Sequence, residues 1–276
     1  MIAQPALSTV AHHLELPKLP ALRSIQVFGQ TIKYYDIGSG PPLLLVHGLG
    51  ADADVWAYCL EPLCQNYRVI ALDLLGFGRS GKPLLNYRVE TFVEVLDRFL
   101  HSVGVPQASL VGNSMGGWIC ASFALRFPER VNKLVLNDAI GIAAGAVEVP
   151  VDLRPTSLRN MRDVLEFMFY DKNLVTDGFV EMAYEFHLER NDAPAISAML
   201  DAIHHKLGAL DDQLAKLKTP TLLVWGDSDR VSPLSVAKSY ERLIPGAKLE
   251  ILAQCGHIAP LEKPGDLVAK IVSFLA

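Results

Sequence analysis

The apolar residues of this chain come in short, interrupted runs that switch between strand-like and helix-like spacing. Leu43-Leu44-Leu45-Val46 is continuously apolar, as a strand is when both of its faces are covered. Before it, residues 23–28 and 31–36 alternate on either side of Gly29-Gln30, which predicts a hairpin. After it, residues 55–63 read as helix, 67–72 as strand and 89–103 as helix. Residues 108–111 (strand), 115–126 (helix) and 133–136 (strand) continue the pattern. Alternation of this kind predicts a mostly parallel sheet with helices on both faces.

The rhythm breaks after Gly141. From residue 145 to about 208 no strong strand pattern occurs, and three helical patterns take its place, over 158–170, 178–189 and 194–207. Ser157, Asp177 and Asp192 are their expected starts. The alternation then resumes with 221–225 (strand), 235–243 (helix), 248–252 (strand) and 266–274 (helix). The expected organisation is a core in two parts, 1–144 and 209–276, with a helical cap over 145–208 inserted after the sixth strand. Residues 1–20, with Pro5, Pro17 and Pro20, read as a loose arm.

Composition narrows the class. Half of the 276 residues are hydrophobic and mean hydropathy is +0.25, which raises the question of a membrane. A spanning helix needs about 20 consecutive apolar residues. The longest run here, residues 139–147, stops at Glu148, so a soluble protein is expected. A net charge of −5 and the lack of any Lys/Arg stripe argue against nucleic acid and anionic membranes as partners. Cys59, Cys64, Cys120 and Cys255 form no Cys-x-x-Cys pair and read as free thiols in a reducing compartment. The N-terminal segment lacks the pattern of a secretion signal, and a cytoplasmic location is expected.

The strongest local motif is Gly112-Asn113-Ser114-Met115-Gly116, at the junction of a strand and a helix. A serine there sits on a sharp turn, with small residues required two positions to either side. Activating it takes a base and a carboxylate that orients the base. The strand over 221–225 runs into Gly226-Asp227-Ser228-Asp229, and the last strand runs into Gly256-His257. Serine, acid and histidine therefore follow in that order, each on a strand-end loop.

A rival reading uses Gly48-Leu49-Gly50-Ala51-Asp52-Ala53, with Asp73 at the end of the next strand, as a dinucleotide fingerprint. Asp52 and Asp54 would place two carboxylates where a pyrophosphate belongs. The following βα unit supplies the serine turn instead of the cofactor's other half. No metal-ligand spacing or phosphate loop is found, so no cofactor and no metal are expected.

Taken together, these motifs resemble the α/β-hydrolase family from about Leu22 to the C-terminus. Asp73-Leu74-Leu75-Gly76-Phe77-Gly78-Arg79-Ser80 is also similar to the family's sequence after its fourth strand. The resemblance implies Ser114 as nucleophile, His257 as base and Asp229, three residues past Gly226, as acid. Asp227 and Asp138, the rival acids, are read as solvated turn residues. Met115 and Leu49 are the expected backbone N–H donors of an oxyanion hole. His47, Gly48 and Gly50 are expected to support that loop.

The inserted helices are dense in Met and aromatic residues, which predicts a pocket for an apolar acyl or alkyl group. The resulting expectation is a serine hydrolase of small or medium apolar carboxylic esters or lactones, acting through an acyl-enzyme. The resemblance also admits carbon–carbon bond hydrolysis of ring-cleavage products, because Gly112-Asn113-Ser114-Met115-Gly116-Gly117 is similar to the elbow of those enzymes. They commonly carry Trp after the histidine, where this chain has Ile258. A cofactor-free perhydrolase or haloperoxidase, or a ligand-binding receptor on the same fold, are further readings. A nucleophilic serine rather than aspartate argues against dehalogenase or epoxide hydrolase chemistry.

Overall fold

The computed structural model describes residues 17–154 and 156–276. Most of the arm expected over residues 1–20, with His12 and His13, lies outside the described residues. Strands β1 (Arg23–Val27) and β2 (Gln30–Ile37) form the predicted hairpin. Six further strands follow: β3 (Pro42–Val46), β4 (Arg68–Leu72), β5 (Ala108–Asn113), β6 (Val131–Asn137), β7 (Thr221–Gly226) and β8 (Lys248–Leu252). They assemble into one sheet in the order β1-β2-β4-β3-β5-β6-β7-β8, with β1 and β2 antiparallel and the rest parallel.

The helices, in chain order, begin with α1 (Ala57–Cys64), α2 (Val89–Ser102) and α3 (Met115–Arg126). Then come α4 (Leu158–Met168), α5 (Asp177–Arg190), α6 (Ala193–His204), α7 (Leu234–Leu243), α8 (Ala259–Glu262) and α9 (Pro264–Leu275). The continuous apolar strand runs are explained by two separate cores. Leu44, Val46, Leu110, Leu134, Leu136, Leu223 and Trp225 face one cluster, which also holds Phe92 and Phe99 of α2 and Phe123 of α3. Their neighbours Leu43, Leu45, Val111, Val135, Leu222 and Val224 face the other, with Leu60 of α1 and Leu267 and Ile271 of α9. Alternate side chains point to opposite faces, so a strand that is covered twice is apolar at every position. This is the α/β-hydrolase fold, with the helical cap inserted after the sixth strand. No helix among the described residues is long and apolar enough to cross a membrane.

The cap helices start close to where their capping residues predict. Ser157 accepts the Asn160 N–H at the start of α4. For α5 the cap is Thr176, which accepts the Phe179 N–H, and Asp177 is the first helical residue. Helix α4 ends at Met168, two residues before the periodicity does, because Phe169 is extended (φ −87°, ψ 142°). Helix α5 buries only Val180, while Phe179, Met182 and Phe186 line a cavity. A third apolar cluster, including Met161, Leu165, Phe169 and Val180, forms the inside of the cap, and Ile258 and Leu261 pack against it from the core.

Where β5 turns into α3 the backbones are in contact. A Cβ on Gly116 would lie 2.2 Å from the Val46 carbonyl oxygen, and one on Gly112 would lie 2.3 Å from the Gly116 carbonyl oxygen. Gly116→Ala is therefore expected to destabilise the fold by about 2 kcal/mol or more, since neither backbone can move aside. Gly178→Ala in α5 meets nothing within 4 Å and is expected to gain roughly 0.5–1 kcal/mol. Urea midpoints of the two variants against the parent chain check both signs.

Candidate active site

Ser114 sits at the tip of the turn between β5 and α3 with φ 54° and ψ −119°, a conformation rare for a residue with a side chain. The turn is pinned from beneath. The Ser114 N–H donates to the Asn137 carbonyl at 2.9 Å, and the Ser114 carbonyl accepts from Gly117 N–H at 2.9 Å. The strained tip lifts the hydroxyl off the sheet edge toward the loop after β8. There, His257 Nε2 lies 2.8 Å from Ser114 Oγ, and His257 Nδ1 lies 2.8 Å from Asp229 Oδ2. The other oxygen of Asp229 accepts the Val231 and Ser232 N–H groups at 2.8 and 2.9 Å, which fixes the carboxylate plane. With Nδ1 donating to the carboxylate, Nε2 is left as the acceptor for the serine proton. All three side chains are buried.

The rival acids separate clearly. Asp227 is exposed, as expected of a solvated turn residue, and accepts from the Ser228 hydroxyl. Asp138, expected to be solvated, is instead fully buried. It accepts the Gly226 N–H and an Asn137 amide N–H, each at 2.8 Å, and neither oxygen is placed on His257. Burial and the nearby Asp229 charge push its carboxyl well above the usual range. The sequence pattern missed this because the chain around Asp138 reads as an ordinary strand-end turn. The burial arises from β7, which pairs beside β6 from the far side of the cap insertion.

The loop after β3 lies against the serine. A Cβ on Gly48 would come within 3.1 Å of Ser114 Cβ. Met115 is the first residue of α3, where an N–H has no partner inside the helix. Gly50 takes a positive φ of 66° that turns the loop under the cap. His47 braces this loop on both sides: its Nδ1 donates to the Gly48 carbonyl at 2.7 Å, and its Nε2 accepts the Leu74 N–H at 2.9 Å. The bond accepted by Nε2 needs a neutral ring, and burial lowers the His47 pKa to about 4.

Asp73, the acid of the dinucleotide fingerprint, is fully buried and engaged by the Ala53 N–H and the Arg79 guanidinium. It has no free oxygen to offer a ribose. Arg79 also holds Asp54, and Arg190 at the end of α5 contacts Asp52. The two carboxylates that counted against a pyrophosphate are thus partners of arginines on either side of the loop.

Above these residues lies a cavity of about 1190 Å³. Ser114, His257 and Leu49 form its floor, and Met161, Leu165, Met182 and Phe186 are among the cap residues in its wall. Residues 146–154, assigned no role from the sequence, also line it.

A family model for the alpha/beta hydrolase fold matches residues 41–181 and 189–264. The chain belongs to the α/β-hydrolase family. Among curated members, it is 32% identical to a 2-hydroxy-6-oxo-2,4-heptadienoate hydrolase of Pseudomonas putida, over 92% of this chain and 96% of that one. Among solved α/β-hydrolase structures, a bacterial membrane phospholipase A is 33% identical with a TM-score of 0.82, covering 92% of this chain and 85% of the other. A meta-cleavage product hydrolase from Pseudomonas fluorescens IP01 is 30% identical with a TM-score of 0.83, covering 92% and 97%.

The His47 brace gives this α/β-hydrolase chain a pH signature. The unfolded chain protonates His47 near 6.5 and the folded chain only near 4. The stabilisation is therefore present above pH 6.5 and is lost as pH falls from 6.5 to 4, up to about 3 kcal/mol for a shift of this size. His47→Gln, which cannot take up a proton, is expected to be less stable at pH 7.5 and to lose less stability across that window. Denaturant midpoints at pH 7.5, 6, 5 and 4 check the difference.

Proposed function

We propose that this protein is a serine hydrolase that cleaves a bond to a carbonyl carbon, with Ser114 as nucleophile, His257 as base and Asp229 as orienting acid. The observation that carries this reading is the pair of 2.8 Å contacts linking Ser114 Oγ, His257 and Asp229 at the floor of a large cavity. Ser114 Oγ attacks the carbonyl carbon while its proton passes to His257 Nε2. The negative oxygen that forms is held by the Met115 and Leu49 N–H groups. When the carbonyl re-forms, the leaving group departs with the bonding electron pair and takes the proton from His257. Water, deprotonated by the same histidine, then releases the acyl group and regenerates Ser114.

The carbon–carbon bond of a ring-cleavage product, a 2-hydroxy-6-oxo-dienoate, is the substrate class that the relatives favour. Several curated proteins of that activity are about 30% identical across about nine-tenths of this chain. In such a substrate the 2-hydroxy-dienoate first becomes its 2-oxo tautomer, losing the hydroxyl proton and gaining one at C5. The serine then attacks the 6-oxo carbon, and C5 leaves with the electron pair, delocalised as the dienolate of the 2-oxo group, before it is protonated.

A second reading, hydrolysis of a carboxylic ester with an apolar acyl chain, is favoured by the cavity itself. Met161, Leu165, Met168, Phe179, Met182 and Phe186 give its cap side an apolar wall. The 33% identity to a phospholipase A points the same way.

The readings part on one panel: a 2-hydroxy-6-oxo-dienoate followed by loss of its visible absorbance, and p-nitrophenyl esters from acetate to decanoate. A kcat/KM at least a hundredfold higher on the dienoate supports carbon–carbon cleavage, and the reverse order supports the ester. Turnover of neither, with ligand binding retained, would indicate a receptor and overturn the hydrolase reading. Ser114→Ala is expected to abolish turnover. Asp229→Asn is expected to lower kcat by about 10⁴, the scale at which losing an orienting acid acts, and Asp138→Asn by less than tenfold. Steady-state kinetics of the three variants check the assignment, and a larger loss in Asp138→Asn would move the acid to that residue.

A further inference from the structure

The loops that carry His257 and Asp229 are bonded to the end of the first cap helix. At the histidine, the His257 N–H donates to the Met168 carbonyl at 2.7 Å. The preceding Gly256 N–H donates to Glu262 Oε1 at 2.9 Å, while Glu262 Oε2 accepts the Tyr170 and Asp171 N–H groups at 2.8 and 3.2 Å. One buried carboxylate thus bridges the histidine loop and the chain leaving α4. The approach is tight: a Cβ on Gly256 would lie 2.2 Å from the Met168 carbonyl oxygen. At the acid, Arg230 directly follows Asp229. It donates to the Phe167 carbonyl at 3.1 Å and to the Glu166 carbonyl, with its guanidinium over the Phe167 ring. On the far side of the histidine, Ile258 and Leu261 pack into the cap's own apolar cluster.

A helix end leaves its last carbonyls without partners inside the helix. Here those of Glu166, Phe167 and Met168 are taken by groups adjoining the acid and the histidine. The early end of α4 at Met168 fits this use, because the extended Phe169 brings the Tyr170 and Asp171 N–H groups to Glu262.

We propose that Glu262 and Arg230 are positioning residues that clamp the end of α4 onto the two loops, so that the cap sets the placement of His257 against Ser114. Neither touches the reacting atoms. Both act through the backbone that carries His257 and Asp229. The proposal rests on the hydrolase reading above.

Glu262→Gln is nearly isosteric but puts an NH₂ group against one of the N–H groups the carboxylate accepts. It is expected to lower both kcat and the rate of Ser114 labelling by a fluorophosphonate, with KM changed less than about threefold. A shift of about 1 Å in a reacting group can cost about a hundredfold, so the expected loss is on the order of tenfold to a hundredfold. Hydrogen exchange is expected to rise at residues 168–171 and 255–258 and to remain at parent level in the sheet. Arg230→Met, at an exposed position, keeps the stem and removes the donors. A several-fold loss of kcat of the same kind is expected, and this variant decides alone if Glu262→Gln does not fold.

Wild-type kcat and labelling in both folded variants would overturn the proposal. So would a loss carried by KM, or exchange that rises throughout the chain. A parent chain that is never labelled overturns the hydrolase reading and this proposal together, whereas a labelled parent with equally reactive variants overturns this proposal alone.

Discussion

Everything at the carboxyl edge of the sheet depends on three backbones meeting without side chains between them. The Val46 carbonyl, the Gly112 α-carbon and the first turn of α3 are in contact, and only glycine at positions 112 and 116 permits it. That contact forces the chain through Ser114 in a positive-φ conformation. It also brings the loop after β3 to within van der Waals distance of the serine. The hydroxyl, the start of α3 and the Gly48–Gly50 turn are thus one rigid object. A residue held in strain needs surroundings that fix it from several sides, and here β6 supplies that through the Asn137 carbonyl.

The same edge sorts the carboxylates by environment. Asp229 spends both oxygens on the histidine and two backbone N–H groups. Asp138, one strand over, is buried close enough to that charge for its own ionisation to be disfavoured. Asp73 and Asp54 are both paired with Arg79. Acids that look alike in the sequence therefore differ in burial and partners, and only one of them reaches the imidazole.

Much of this was legible beforehand because the information is local. Continuous apolar runs mark doubly covered strands, and the glycine spacing around Ser114 marks the elbow. The loops after β7 and β8 carry Asp229 and His257 at a fixed distance from the strand ends. What was not legible depends on long-range contact. The burial of Asp138 is created by β7. The division of α5 into a cavity face and an exposed face depends on where the cap sits, since Phe179, Met182 and Phe186 have the same hydrophobicity in either setting. Glu262 lies five residues past the histidine in a short helix that periodicity did not resolve, and two of its partners, Tyr170 and Asp171, lie about ninety residues upstream. Its one local signal is an acid among apolar residues, Ala259-Pro260-Leu261-Glu262.

The bonding between α4 and the two loops bears on how separable the cap is. An insertion between β6 and β7 looks like a module that could be exchanged between relatives by cutting at its two chain ends. Yet Met168 and Tyr170 belong to the inserted segment, while His257, Glu262 and Arg230 belong to the core. A chimera joined only at the chain ends would separate donors from their acceptors right beside His257 and Asp229. The transferable unit is therefore discontinuous: the cap together with residue 230 and the turn from Gly256 to Glu262.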